Sequence, residues 1–154
     1  MKQGKRILAM LLLVVTVFTM ASFSVSAATP NTSDTTHTIQ VNDDFTKNRA
    51  YRPKNNSTAI YLHIDNHIYV HSFVQAQGCT SSGGNRTKCT IVEGEVVAQV
   101  VCRNDIQYSI RNNVYEKGFA CASLDFRHIN NDTQNTTLTY TWSPDSAGSY
   151  IPAT

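Results

Sequence analysis

From Thr58 onward the chain runs in short stretches rich in Ile, Val, Tyr, Phe and Thr, each ended by turn residues. The helical period of 3.6 nearly vanishes, and alternation with a period of two marks half-buried strands. The pattern predicts strands over Thr58–Ile64, Ile68–Gln77, Lys88–Val92, Glu95–Arg103, Ile106–Tyr115, Phe119–Ile129 and Thr136–Trp142. The separators "DNH", "SSGGNR", "EG", "ND", "EKG" and "NNDTQN" all carry turn chemistry. A further short strand is expected at Thr38–Val41, followed by a loop that reaches Ser57. Seven short strands at this spacing predict an all-β fold, an antiparallel β-sandwich in one domain, with a barrel as the alternative.

Two hairpins can be checked for consistency of faces. With Glu116–Gly118 as a three-residue loop, Val114 meets Ala120, Ile110 meets Leu124 and Tyr108 meets Phe126, all on one apolar face. The stretch "HIDNHIYVH", His63 to His71, holds three of the five histidines at intervals of four. On a helix they would share a face and suggest a metal. β-branched and aromatic residues around Asp65-Asn66 favour a hairpin instead. With Asp65–His67 as its loop, Ile64 faces Ile68 and Leu62 faces Val70. Tyr61, His63, Tyr69 and His71 then share the opposite face, a candidate surface for binding, with His67 in the loop. Two histidines fall short of the three protein ligands of a catalytic zinc site, so no metal is expected.

The N-terminus changes where the protein is expected to work. Lys2, Lys5 and Arg6 precede an apolar run, Ile7–Met20, and then the small residues "ASFSVSAA". This predicts a signal peptide over residues 1–27, cut after Ala27. The run is short for a bilayer span, which takes about 20 apolar residues. A secreted, extracellular protein is expected, with a polar N-terminal leader and loop over 28–57, mobile to about Thr36, and a β-sandwich domain over 58–154. The signal holds three of the 13 basic residues and no acidic one, which leaves 10 basic against 11 acidic and a net charge of −1. That balance argues against nucleic acid and, once the signal is gone, against a membrane as partner.

Export also decides how Cys79, Cys89, Cys102 and Cys121 are read. An even count in an exported chain predicts disulfides, and none of the spacings suits zinc. Connectivity stays open. Pairing Cys79 with Cys89 across "TSSGGNRTK" leaves Cys102 with Cys121. A continuous meander through Asn104-Asp105 would hold those two roughly 20 Å apart, against a limit of about 7 Å between bridged Cα atoms. Either the chain crosses between sheets at Asn104-Asp105, which is preferred, or the pairing is not nearest-neighbour.

Chemistry is sparse. There is no G-x-S-x-G, H-E-x-x-H, P-loop or G-x-G-x-x-G pattern. The acid pairs Glu93/Glu95 and Asp43/Asp44 fall in turns or loops, where carboxylates are usually just solvated. Asn-x-Ser/Thr occurs at Asn31, Asn55, Asn56, Asn85, Asn131 and Asn135, and reflects loop composition. Leu138, Tyr140 and Trp142, the last the only Trp, share a face that should anchor the final strand in the core.

"VVCRNDIQYSIRNNVYEKGFACASLDF" followed by "WSPDSAGSY" resembles small secreted proteins of Gram-positive bacteria with no assigned activity. The resemblance implies secretion and a compact β fold, and carries over no site. The expected function is that of a secreted, non-enzymatic binding protein without a cofactor. An extracellular protein or a cell-envelope glycan is the expected partner. An antimicrobial or toxin-like protein and a small extracellular hydrolase are the alternatives. The first lacks positive charge and any long amphipathic segment, and the second lacks a signature.

Overall fold

The computed structural model describes residues 29–46, 50–80, 85–130 and 133–154. The expected signal peptide lies outside them, as do residues 81–84 and 131–132 of two expected turns. Every regular element among the described residues is a strand: β1 (Thr35–Val41), β2 (Arg52–Pro53), β3 (Ile60–His67), β4 (His71–Cys79), β5 (Arg86–Lys88), β6 (Ile91–Val92), β7 (Glu95–Val96), β8 (Val100–Arg103), β9 (Gln107–Ile110), β10 (Cys121–His128), β11 (Thr136–Ser143) and β12 (Ile151–Pro152). Sheet I has the order β1-β11-β3-β9-β12, antiparallel except for β12 along β9. Sheet II has the order β2-β10-β4-β5, with β8 also on β4 beyond β5. β6 and β7 form a small hairpin closed by Glu93-Gly94, with φ of 51° and 90°, the left-handed pair that a two-residue turn requires.

Alternation sorts the side chains into a single core. Ile60, Leu62 and Ile64 on β3, Tyr108 and Ile110 on β9, and Leu138, Tyr140 and Trp142 on β11 form the inner face of sheet I. Val74 and Ala76 on β4, Ala122, Leu124 and Phe126 on β10, and Val100 and Cys102 on β8 supply that of sheet II. The rings of Phe126 and Tyr140 meet at 4.5 Å, which ties β10 to β11 through the core. Trp142 is buried as its alternation predicted, with the Arg52 guanidinium 5.7 Å from its ring. The domain is all-β, with twelve strands among the described residues against the seven expected from Thr58 onward and the one at Thr38–Val41.

Both expected hairpins are replaced by crossings between sheets. The turn at Glu116–Gly118 forms, with Phe119 N donating to Val114 O at 3.1 Å and Gly118 at φ 73°, but β9 belongs to sheet I and β10 to sheet II. Likewise Asp65–His67 is not a loop: β3 runs on to His67, and Ile68–Val70 carries the chain across to β4. Ile68 and Val70, expected to face the core, are 74% and 56% exposed. A third crossing falls at Asn104–Ile106, where Asp105 takes φ 60°. This is the alternative preferred from the sequence. Alternation reports whether a side chain points inward, and both sheets have an inward face. It does not report which strand lies alongside.

The expected leader is structural from Thr29 onward. Asp145 Oδ2 accepts hydrogen bonds from Asn31 N (2.7 Å) and Asn55 N (3.1 Å), and Asp145 Oδ1 lies 2.8 Å from Lys54 Nζ. Both charged side chains of that ion pair are fully buried. Burial pushes the Lys54 amine below its ordinary pKa, and the Asp145 carboxylate offsets part of that cost. Arg52 donates to Asn31 Oδ1, Ser33 Oγ and Trp142 O at 2.8–3.1 Å. These bonds fix the entry into β1, so the domain starts well before Thr58.

Candidate functional site

The outer face of sheet I is open and polar. Gln107 on β9, His63 on β3, Thr141 on β11 and Thr36 on β1 stand directly opposite one another in register, a row across four strands. At the usual strand spacing the row spans roughly 14 Å. Below it Thr38 and Thr139 pair through their hydroxyls at 3.0 Å, and Gln40 Nε2 donates to Thr137 Oγ1 at 3.1 Å. Strand β11 reads "TTLTYTWS", so its threonines alternate with Leu138, Tyr140 and Trp142 and must face outward once those enter the core.

Hydrogen-bond polarity can be assigned along the row. His63 Nδ1 donates to Asp65 Oδ1 at 2.7 Å, and the Thr141 hydroxyl donates to Asp65 Oδ2 at 2.8 Å. A hydroxyl has one proton. Thr141 has spent its own on the carboxylate, so Thr36 must be the donor in the 2.8 Å Thr36–Thr141 bond. The direction runs Thr36 to Thr141 to Asp65, with His63 arriving from the other side. Thr36 Oγ1 keeps acceptor capacity, and His63, whose Nδ1 faces Asp65, presents its other ring nitrogen to a ligand. The row therefore matches a ligand rich in hydroxyl donors.

One end of the row meets an aromatic wall. Tyr150 packs on Tyr61 with ring centroids 4.7 Å apart. Tyr61 itself is buried, and burial together with Asp34, Tyr150 and Asp65 raises its pKa, so it stays a neutral phenol. Tyr150 lines an open groove of about 680 Å³ with Asp105, Ile106, Gln107, Ile151 and Pro152. Gln107 belongs to both the groove and the row.

Of the four residues expected on one face, the structure keeps two together. Tyr61 and His63 share the outer face of sheet I. His71 begins β4 in sheet II opposite Arg103, and Tyr69 lies in the crossing with its ring 4.7 Å from that of His128. Asp65 and Thr141 were missed as partners of His63. Asp65 is two residues from His63 and shares its face in any unbroken strand, a signal hidden by placing a loop at Asp65. No pattern pointed to Tyr150.

Two other polar clusters are closed. His67 is 5% exposed and His128 is fully buried. Their rings are 5.4 Å apart and both accept or donate to Thr136 Oγ1, at 3.0 and 2.6 Å. Ser72 Oγ lies 3.0 Å from His67 Nδ1. Burial, and then the neighbouring His128, lower the pKa of His67 to about 4, which holds it neutral. Groups of three or more potential metal ligands are absent among the described residues. The outer face of sheet II carries Gln75, Gln77, Ser123 and Asp125, all buried. Arg86 pairs with Asp125, donates to Ser123 Oγ at 2.7 Å and lies over the Tyr51 ring at 5.6 Å, while Gln75 donates to Ala98 O and accepts from Gln77.

All four cysteines are buried thiols. Cys89 and Cys102 belong to the core, whereas Cys79 and Cys121 lie on the outer face of sheet II, directly opposite each other in register.

No curated protein and no solved structure matches the chain. Residues 23–146, which take in both sheets up to Ser146 and stop short of Tyr150, match the family described as a protein of unknown function (DUF2712), and the chain belongs to that family.

Proposed function

We propose that this is a protein exported by a Gram-positive bacterium that binds a neutral, hydroxyl-rich glycan of the cell envelope, without catalysis, on the outer face of sheet I. The observation that carries this reading is the row Gln107–His63–Thr141–Thr36, polarised by Asp65 and ending at the Tyr150 groove. Sugar hydroxyls can donate to Thr36 and His63, and Gln107 can both donate and accept. A half-buried tyrosine at the rim offers an apolar surface to the C–H face of a sugar. The two principal sheets are read here as the layers of a β-sandwich, and the Phe126–Tyr140 contact across the core supports that.

Export is tested by sequencing the N-terminus of protein recovered from culture medium, with Ala28 the expected first residue. Binding is tested by electrophoresis through gels containing purified neutral wall polysaccharides, with a teichoic acid and a denatured polypeptide as further arms. Retardation by a neutral polysaccharide, relieved at least tenfold by Asp65→Ala, is the expected outcome. Retardation by the polypeptide alone, or equal retardation of wild type and Asp65→Ala, would sink the glycan reading.

A further inference from the structure

We propose that Cys79 and Cys121 close a single disulfide between β4 and β10, while Cys89 and Cys102 remain thiols in the core. Residues directly opposite in an antiparallel pair have Cα atoms about 4.5–5.5 Å apart, within the range of about 4.4–6.8 Å that a disulfide accepts. Cys79 and Cys121 are such a pair, and Cys79 Sγ already lies 3.4 Å from the carbonyl oxygen of Cys121.

The register excludes the other pairings. Cys89 N donates to Ala76 O at 2.9 Å, so Cys89 stands beside Ala76, and Cys102 stands opposite Ser72 on the same edge of β4. Four residues of strand separate those positions, roughly 13 Å. Cys79 is three residues from Ala76, roughly 10 Å, and points to the other face. Cys121, opposite Cys79, is seven residues of β4 from Ser72, roughly 23 Å. All three distances exceed the limit of about 7 Å.

The step consumes a small-molecule disulfide. A cysteine thiolate of the protein attacks one sulfur of the oxidant and expels one small thiol, leaving a mixed disulfide. The second cysteine then attacks the protein-side sulfur and expels the other small thiol. Two protein S–H bonds and one S–S bond are lost, one S–S bond forms, and the two electrons end on two small thiols. Cys121, 8% exposed, is the entry point, since Cys79 is fully buried. Burial and the neighbouring Cys121 push the Cys79 thiol up to about 12, so it enters second. The bridge sits beneath Arg86, which pairs in register with Cys79, and joins residues 42 apart in sequence.

Formation in the cell rests on the export proposed above, and the test does not. The full chain is incubated with glutathione disulfide, alkylated in denaturant and digested with trypsin without reduction. Peptide 55–86 holds Cys79, 118–127 holds Cys121, and 89–103 holds both other cysteines. The expected result is a linked pair 55–86/118–127, with 89–103 alkylated twice. Any linkage involving 89–103, or four alkylated cysteines after oxidation, overturns the proposal. As a second reading, reductant should lower the thermal midpoint of the oxidised protein on the order of 10 °C. The double variant Cys79→Ser, Cys121→Ser should lose that difference, and Cys89→Ala should keep it. A difference that survives in the double variant overturns the proposal too.

Discussion

Both outer faces are polar, yet one is open and the other is sealed. On sheet I the threonines of β1 and β11 pair across the strands and still border solvent. On sheet II Gln75, Gln77, Ser123 and Asp125 lie under Arg86 and the Ala98–Gln99 segment. The difference is one of partners. A buried polar group needs an internal hydrogen bond or it costs on the order of 1–3 kcal/mol, so the sealed face carries complementary groups: Arg86 for Asp125 and Ser123, and the Gln75 side chain for both Gln77 and the Ala98 carbonyl. An open face is under no such demand. Its acceptors can be left to water, and whatever order it shows beyond that is available for a ligand. The polarised path through Thr36, Thr141 and Asp65 is such order.

The sharpest way to break this contrast is to remove the anion from the sealed face. Arg86, its side chain 14% exposed, would lose its carboxylate partner in Asp125→Ala. Loss of one member of a buried pair costs roughly 3–5 kcal/mol, and urea unfolding should show a drop of that size. Arg86 already has Nε and Nη1 buried without a hydrogen-bond partner among the described residues, so little is at hand to replace Asp125. A loss under about 1 kcal/mol, the range of surface pairs, would mean that the face is not sealed in solution.

Next in size is an acid sensitivity from the buried His67, which belongs to neither outer face. His67 titrates near 4 when folded, against 6.5 as its ordinary value. Between those values the unfolded chain holds a proton that the folded chain refuses, so stability falls as pH falls. The contribution is fully present above about pH 6.5 and drains away toward pH 4. Between pH 7 and pH 5 it amounts to roughly 2 kcal/mol. The urea midpoint of wild type should fall over that interval by more than the midpoint of His67→Gln. Parallel pH profiles would show that His67 is solvated.

What the sequence disclosed and what it concealed divide along the same line as the two faces. Inward and outward positions were legible within unbroken strands such as β11, where Leu138, Tyr140 and Trp142 enter the core as alternation required and Thr137, Thr139 and Thr141 face out, but not at Ile68 and Val70, which fall in a crossing. The Glu93-Gly94 turn was legible too, through its local φ demand, and the crossing at Asn104-Asp105 was the preferred alternative, although the Cys102–Cys121 pairing that favoured it is excluded by the register. Neighbour identity was not legible. "VYEKGF" turns as a hairpin would, yet β9 pairs with β3 and β10 with β4, because pairing is decided by contacts far apart in sequence. The candidate face inherited that error. Half of it, Tyr61 and His63, survived since both lie on one strand. The other half assumed the wrong neighbour, and the true neighbours, Thr141 and Thr36, are 78 and 27 residues away from His63 by subtraction of their positions.

On the open face the effects on stability should be small and the effects on binding larger. Asp65→Ala removes the acceptor shared by His63 and Thr141, both half-buried, and should change unfolding free energy by less than about 1 kcal/mol, as surface sites usually do. Retardation in glycan gels should weaken at least tenfold, because Thr141 loses the partner that fixes its proton and the row loses its direction. A stability loss comparable to that of Asp125→Ala would erase the distinction between the faces.

The finest test moves one ring without touching a polar group. Gly148 lies against Tyr150 so closely that a Cβ there would sit 2.5 Å from the ring's Cζ and hydroxyl. Such a contact cannot persist, and what gives way is the tip of a side chain rather than backbone. Gly148→Ala should therefore swing Tyr150 off Tyr61 at a stability change of under about 0.5 kcal/mol, typical of exposed positions. Tyr61 would become more exposed, and glycan retardation should fall several-fold, less than for Asp65→Ala, since the hydrogen-bonding row stays in place. Tyrosine fluorescence quenching by a neutral quencher reads the exposure and the gel reads the binding. If the quenching rises and the retardation stays the same, the glycan lies on the row alone and the groove beside Tyr150 is not part of its site.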